Sequence, residues 1–147
     1  MDGYFADDHP LDWTRATTYA GILALYTDLV HLRRNTDGTT LGLTGDGVSV
    51  FHVNDSAKVI AWRRFKAGGD DVVIVANFSG TSFAKYQIGL PGAGTWKVRF
   101  HSDDVAYSPD FAGTSNAPVA AANVARDGLP FNATLALGPY SALILSR

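Results

Sequence analysis

Three pairs of adjacent aspartates, Asp7–Asp8, Asp70–Asp71 and Asp103–Asp104, are the first residues in this chain whose type points to chemistry. Paired carboxylates can share acid–base work or hold calcium. Adjacent loop residues often point apart, however, and aspartate is a favoured turn residue, so turns are the stronger reading. The four histidines, at 9, 31, 52 and 101, lack metal-binding spacing such as two on one helix face. His52 and His101 fall on the outward register of their strands, which predicts solvated positions. Ser79, Ser82, Ser102 and Ser108 have no nucleophile-elbow context. Gly92-Ala93-Gly94 resembles a phosphate loop only in composition, since no helix pattern follows it. Asn54, Asn77 and Asn132 each open an Asn-x-Ser/Thr sequon, which matters only in a glycosylating secretory pathway. Three tryptophans could stack on sugar rings. Trp96 lies on the apolar face of its strand and belongs to the core. Trp62 is open between the two roles. Trp13 is the exposed aromatic and the carbohydrate-binding candidate. These residues supply no catalytic set, and no metal or cofactor site is expected.

The bulk composition narrows the classes further. A chain of 147 residues is the length of one domain with a short appendage. Folding should bury about two-thirds of its unfolded surface. With 46% apolar and 18% charged residues the chain is globular rather than disordered. A formal charge of −2, with no basic stripe, points away from nucleic acid and anionic membranes. The absence of cysteine removes disulfides, thiolate zinc sites and cysteine nucleophiles, and fits a reducing cytoplasm. The acidic, proline-broken start MDGYFADDHP is not a signal peptide. The apolar run from Tyr19 to Tyr26 is too short to cross a bilayer.

The elements that would position any site follow from periodicity. Met1 to Asp12 reads as a loop packed by Tyr4, Phe5 and Trp13, and a chain that opens in mid-loop reads as a fragment. Thr17 to Arg34 is the one helix, with its apolar stripe at Ile22, Leu25, Tyr26, Leu29 and Leu32. Thr17 or Thr18 is the expected N-cap, and Asn35 to Gly38 the stop. From Leu41 onward the period is two. Ser49, Phe51 and Val53 alternate with Val50 and His52. Lys58–Phe78 reads as a hairpin turning at Gly68 to Asp71, and its second run, Val72 to Ala76, is apolar without a break. Such a strand is covered on both faces and belongs in the centre of a sheet. Trp96, Val98 and Phe100 alternate with Lys97, Arg99 and His101. Trp96, Val98, Phe100, Val73, Val75, Phe51 and Tyr86 are expected to share one core. Ser102 to Asp127 is loop-like. Seven or eight short strands imply a mainly β fold, an antiparallel Greek-key β-sandwich preceded by one α-helix.

In order along the chain, several motifs resemble the C-terminal end of an α-amylase-superfamily enzyme (glycoside hydrolase family 13), with the likeness strongest to 1,4-α-glucan branching enzymes. They are Pro10-Leu11-Asp12-Trp13, Gly21-Ile22, Tyr26, Asp28, Leu29 and Leu32-Arg33-Arg34-Asn35. Val59 to Arg64, Val73 to Ser79, Tyr86 to Pro91, Gly94-x-Trp96, Ser102-Asp103, Tyr107 and Leu137-x-Pro139-Tyr140-Ser141 continue the series. Tyr107-Ser108-Pro109 departs from the pattern, because many relatives carry glycines after the tyrosine. The resemblance implies two parts: residues 1–38 as the last loop and helix of a catalytic barrel, and residues 39–147 as a C-terminal β-sandwich. The family's nucleophilic Asp, Glu general acid and supporting carboxylate sit on earlier barrel strands, and none can be placed here. The resemblance therefore implies a non-catalytic domain that stabilises the barrel of a branching enzyme in cytoplasmic (bacterial) glycogen metabolism. The alternatives are a carbohydrate-binding module contacting α-glucan and the C-terminal domain of another family 13 α-amylase-type hydrolase. The implied partner is the catalytic barrel. A helix stripe stripped of that barrel would make the isolated chain self-associate through its N-terminal helix.

Overall fold

The computed structural model describes residues 12–68, 70–111, 113–114 and 117–147. Tyr4, Phe5, the Asp7–Asp8 pair and His9 lie outside the described residues. Two helical segments, α1 (Arg15–Thr18) and α2 (Ala20–Arg34), lead through a 3-10 turn at Leu41–Thr44 into eight strands. These are β1 (Gly47–Asn54), β2 (Val59–Phe65), β3 (Val72–Asn77), β4 (Phe83–Leu90), β5 (Thr95–His101), β6 (Val119–Ala120), β7 (Phe131–Leu137) and β8 (Ala142–Ser146). A six-stranded antiparallel sheet runs in the order β1-β2-β3-β8-β5-β6, and β4 and β7 form a two-stranded ribbon. The chain changes layer after β3, β4, β6 and β7, the crossing pattern of a Greek-key sandwich.

The expected hairpin is β2–β3, and β3 is buried along its whole length. Both of its faces are covered. Val73 and Val75 point at the ribbon, into a core with Ala61, Ile88, Leu135 and Trp96. Val72 and Ile74 point the other way, into a second core with Ile144, Leu43 and Phe100, closed by Leu25, Leu29 and Leu32 of α2. The molecule is thus three-layered: helix, sheet, ribbon.

The helix begins later than its pattern implies. The residues at Thr17 and Thr18 belong to α1, the chain breaks at Tyr19 with φ −116° and ψ 40°, and α2 starts without a side-chain cap. Upstream of α1, the Asp12 carboxylate accepts from the Thr14 amide at 3.1 Å. The stop is as expected. Asn35 adopts a left-handed conformation and the Thr36 amide closes on the His31 carbonyl at 3.1 Å, the Schellman arrangement. Leu41–Thr44 is helical rather than extended, because its short turn seats Leu43 in the second core.

Two β-bulges correct the inward and outward assignments. In β1, Val50 faces Trp62 and His52 faces Ala61, so Phe51 is an extra residue. Phe51 still packs on the first core, but His52 turns inward and Val53 is left exposed on the opposite face. In β5 the register slips between Val98 and Phe100. Phe100 therefore leaves the Trp96 core for the one under α2, and His101 becomes buried at 2% exposure. Strict alternation fails at both places because a bulge adds one residue and reverses every side chain beyond it.

Trp96 is fully buried, and its indole N–H donates to the Gly92 carbonyl at 3.0 Å. Trp96→Ala is expected to cost about 3–5 kcal/mol, read from chemical denaturation. A loss below about 1.5 kcal/mol would mean that the site collapses around the missing ring.

Candidate functional site

Among the described residues, most of the charged and hydroxyl candidates are held in structural contacts. Asp71 meets Arg63 at 3.4 Å, and Asp70 meets Arg147 at 3.5 Å. Asp103 accepts from the Thr114 hydroxyl at 3.1 Å, and Asp104 from the Ala106 amide at 2.9 Å. Among the described residues, no group of three or more His, Cys, Asp or Glu side chains could hold a metal ion. Ser79 bonds Asn77, while Ser102 and Ser108 accept from nearby backbone amides. Ser82 is exposed in the turn before β4, and His31 is exposed on α2. Gly92-Ala93-Gly94 is the turn into β5, without a helix. The sequon asparagines are not free acceptors. Asn77 donates to the Gly138 carbonyl at 2.7 Å, Asn132 to Val124 at 2.7 Å and Asn54 to the Tyr86 hydroxyl at 3.0 Å.

One polar network escaped the sequence reading. His52 Nδ1 lies 3.1 Å from Asp127 Oδ1, and Nε2 lies 2.8 Å from the Tyr86 hydroxyl. A proton on Nδ1, with Tyr86 donating to Nε2, satisfies the whole set. Asp127 Oδ2 also accepts from the Gly89 amide at 2.8 Å. The order carboxylate–imidazole–hydroxyl is that of a nucleophile-activating triad. Here the hydroxyl is a phenol that also receives the Asn54 N–H, and Tyr86 is buried. The network clamps β1 to the ribbon, and Tyr86 and Asn54 also line a groove of about 390 Å³ with Lys85, Gln87, Arg126 and Thr134. The local signal for Asp127 was the Asp127-Gly128 step, which makes a turn with positive φ at both residues.

One cluster of exposed aromatic and apolar side chains lies on and before α2. Trp13 is 77% exposed on the turn before α1, whereas Trp62 is half-buried against the second core. Trp96 is unavailable. The predicted stripe of α2 splits into two faces. Leu25, Leu29 and Leu32 pack on the sheet, while Ile22 and Tyr26, with Tyr19, Leu23 and Val30, face outward. Beside this outer stripe, a groove of about 490 Å³ runs between the start of α2 and residues 107–111, with Ile22, Tyr107, Pro109 and Phe111 in its walls. Trp13 is not among its lining residues.

Many of the residues that carry the family resemblance hold α2 to the sandwich. A Cβ at Gly21 would stand 1.7 Å from the Tyr107 carbonyl oxygen, so glycine is what lets the helix cross that loop. The Tyr107 hydroxyl donates to Asp28 Oδ2 at 2.6 Å. Arg33 donates to the Leu43 carbonyl at 2.6 Å, and the Thr40 hydroxyl to the Leu32 carbonyl at 2.7 Å. Burial foremost, then the hydrogen bond and charge of Asp28, push the Tyr107 phenol above its ordinary value.

Comparison with known proteins agrees with this arrangement. Residues 50–147 match the family described as "Alpha amylase, C-terminal all-beta domain". A 1,4-alpha-glucan branching enzyme of Mycolicibacterium paratuberculosis is 31% identical over 146 residues, spanning 96% of this chain and 20% of that protein. One from Nitrosomonas europaea is 30% identical over 141 residues, with 93% and 19% covered. One from Nocardia farcinica is 30% identical over 146 residues, with 97% and 20% covered. The chain thus spans about a fifth of the length of these relatives. The crystal structure of an alpha-amylase from H. orenii shares the fold, with a TM-score of 0.54 at 16% identity, over 96% of this chain and 23% of that one.

Two outcomes test the helix attachment. Gly21→Ala drives a methyl into backbone that cannot yield locally, so it should cost about 1–3 kcal/mol, and denaturation showing no loss would refute the close approach. The second is pH-dependent. The Tyr107 phenol, ordinarily ionising at 10.0, is raised in the folded state. Its contribution is full below pH 10 and is lost as pH rises through the raised folded value. Stability should fall more steeply above pH 10 in the parent chain than in Tyr107→Phe. Parallel curves would show that the phenol is not coupled to folding.

Proposed function

This chain belongs to the alpha-amylase C-terminal all-beta domain family, and on that premise we propose that it is the non-catalytic C-terminal part of a cytoplasmic 1,4-α-glucan branching enzyme. In this reading residues 1–38 finish the catalytic barrel and residues 39–147 form the domain that braces it. The observation that carries the proposal is the two-faced helix. One face of α2 is docked on the sheet through Leu25, Leu29 and Leu32, and the other presents Tyr19, Ile22, Leu23, Tyr26 and Val30 to solvent. Thr27, Asp28, His31 and Arg34 leave the helix one polar side, but the outer apolar face, like the docked one, is of the kind that a neighbour covers. The preceding barrel is the cover that this reading supplies. Relatives named branching enzymes, each about five times the length of this chain, support it. A second reading, contact with α-glucan, is favoured by Trp13, whose ring is open to stack on a sugar face.

The test compares one double variant in two settings. Ile22 and Tyr26 are exposed here, so Ile22→Asp with Tyr26→Asp should change the stability of the 147-residue chain by no more than about 0.5 kcal/mol. In a polypeptide that also carries the preceding barrel, the same pair should cost about 3 kcal/mol or more, because two apolar contacts are replaced by buried charge. Equal, small effects in both would sink the docking proposal. The 147-residue chain alone should show no turnover of amylose or glycogen by iodine staining. Affinity electrophoresis in glycogen separates the second reading: Trp13→Ala abolishes retardation if that ring binds glucan and changes nothing if it does not.

A further inference from the structure

We propose that the outer edge of β1 is a pairing surface for a second copy of this chain. Among the described residues β1 pairs with β2 alone, so its other edge presents unpaired backbone donors and acceptors. Exposed edges are normally blunted by lysine, proline, inward charge or a bulge. β1 reads Gly-Val-Ser-Val-Phe-His-Val-Asn, without lysine or proline, and its one bulge, at Phe51, leaves its exposed valines on a single face. Its histidine is held inward by Asp127 and Tyr86.

The side chains select the occupant. Val48, Val50 and Val53 stand opposite Arg64, Trp62 and Ile60, which alternate on β2 and therefore share one face. All three valines are exposed, at 54%, 54% and 71%. The bulge at Phe51 keeps Val53 in step with the other two, since without it Val53 would point to the opposite face. Val48 and Val53 are then equally spaced about Val50. A two-fold axis at Val50 sets Val48 of each copy against Val53 of the other, and Val50 against its equivalent. The strip is complementary to itself and brings no like charge into the strand pairing, which is what an isologous interface requires. Eight residues extend about 27 Å. Two such edges bury on the order of 600 Å², below the standard size for stable complexes. The pairing is therefore weak and concentration-dependent. It is separate from the outer stripe of α2 and does not rest on the barrel proposal.

Sedimentation equilibrium of the 147-residue chain over a wide concentration range tests this, with Val50→Lys and Ile22→Lys run alongside. A monomer–dimer equilibrium is expected whose Kd rises at least tenfold in Val50→Lys and less than twofold in Ile22→Lys. Backbone amides of β1 should gain hydrogen-exchange protection in wild type as concentration rises, a readout that needs no variant to fold. A strictly monomeric wild type would overturn the proposal. So would a dimer unaffected by Val50→Lys, or one lost in Ile22→Lys, which would place association on the helix. A β1 already protected at the lowest concentration would mean that another part of the same chain covers the edge, and that too would overturn it.

Discussion

A strand with apolar side chains on both faces cannot face water on either. In this protein that strand is β3, and the other layers follow from covering it. Val73 and Val75 require one cover, Val72 and Ile74 another. The β4–β7 ribbon supplies the first, and α2 with the 3-10 turn supplies the second. Ile144 of β8 repeats the demand beside β3, pairing with Ile74 across the ladder. A two-stranded ribbon would be marginal alone, but its inner face carries Ile88, Leu90, Leu135 and Leu137, all buried in the shared core.

The second cover explains why α2 belongs to this body rather than merely preceding it. Each large apolar side chain buried fully contributes about 1.5–3 kcal/mol, so the three inward leucines, even half-buried, outweigh the exposed hydrogen bonds around them. Gly21 removes the side chain that would hold the helix off the Tyr107 loop, and Tyr107 then reaches Asp28. The outer stripe of the same helix gains nothing from this arrangement. Its exposure is what the proposed contact with a preceding barrel would remove.

The bulges decide what polar chemistry the sandwich holds. One extra residue in β1 turns His52 from solvent into the layer boundary, where Asp127 and Tyr86 satisfy it and Asn54 donates to the same Tyr86 hydroxyl. One in β5 buries His101 and moves Phe100 to the helix side. Groups that resemble catalytic parts in composition are held in structural contacts here.

Read alone, the residues determined the existence of β3, its buried character and its hairpin with β2, because an unbroken apolar run bounded by Gly68 and Asp71 has few other uses. They also determined the extent of α2 at its C-terminal end, where Asn35 and Gly38 break helical geometry, and the burial of Trp96. The family likeness was legible because Gly21, Asp28 and Tyr107 are fixed by a contact whose geometry admits few substitutes. The tertiary structure decided what periodicity cannot. Spacing marks Ile22, Leu25, Tyr26, Leu29 and Leu32 as one stripe, yet helix rotation against the sheet chooses which of them go in. Alternation predicts a face only until a bulge, and a bulge is set by twist and by partners far along the chain. The pairing of His52 with Asp127 joins residues separated by most of the sandwich, and only packing brings them within 3.1 Å.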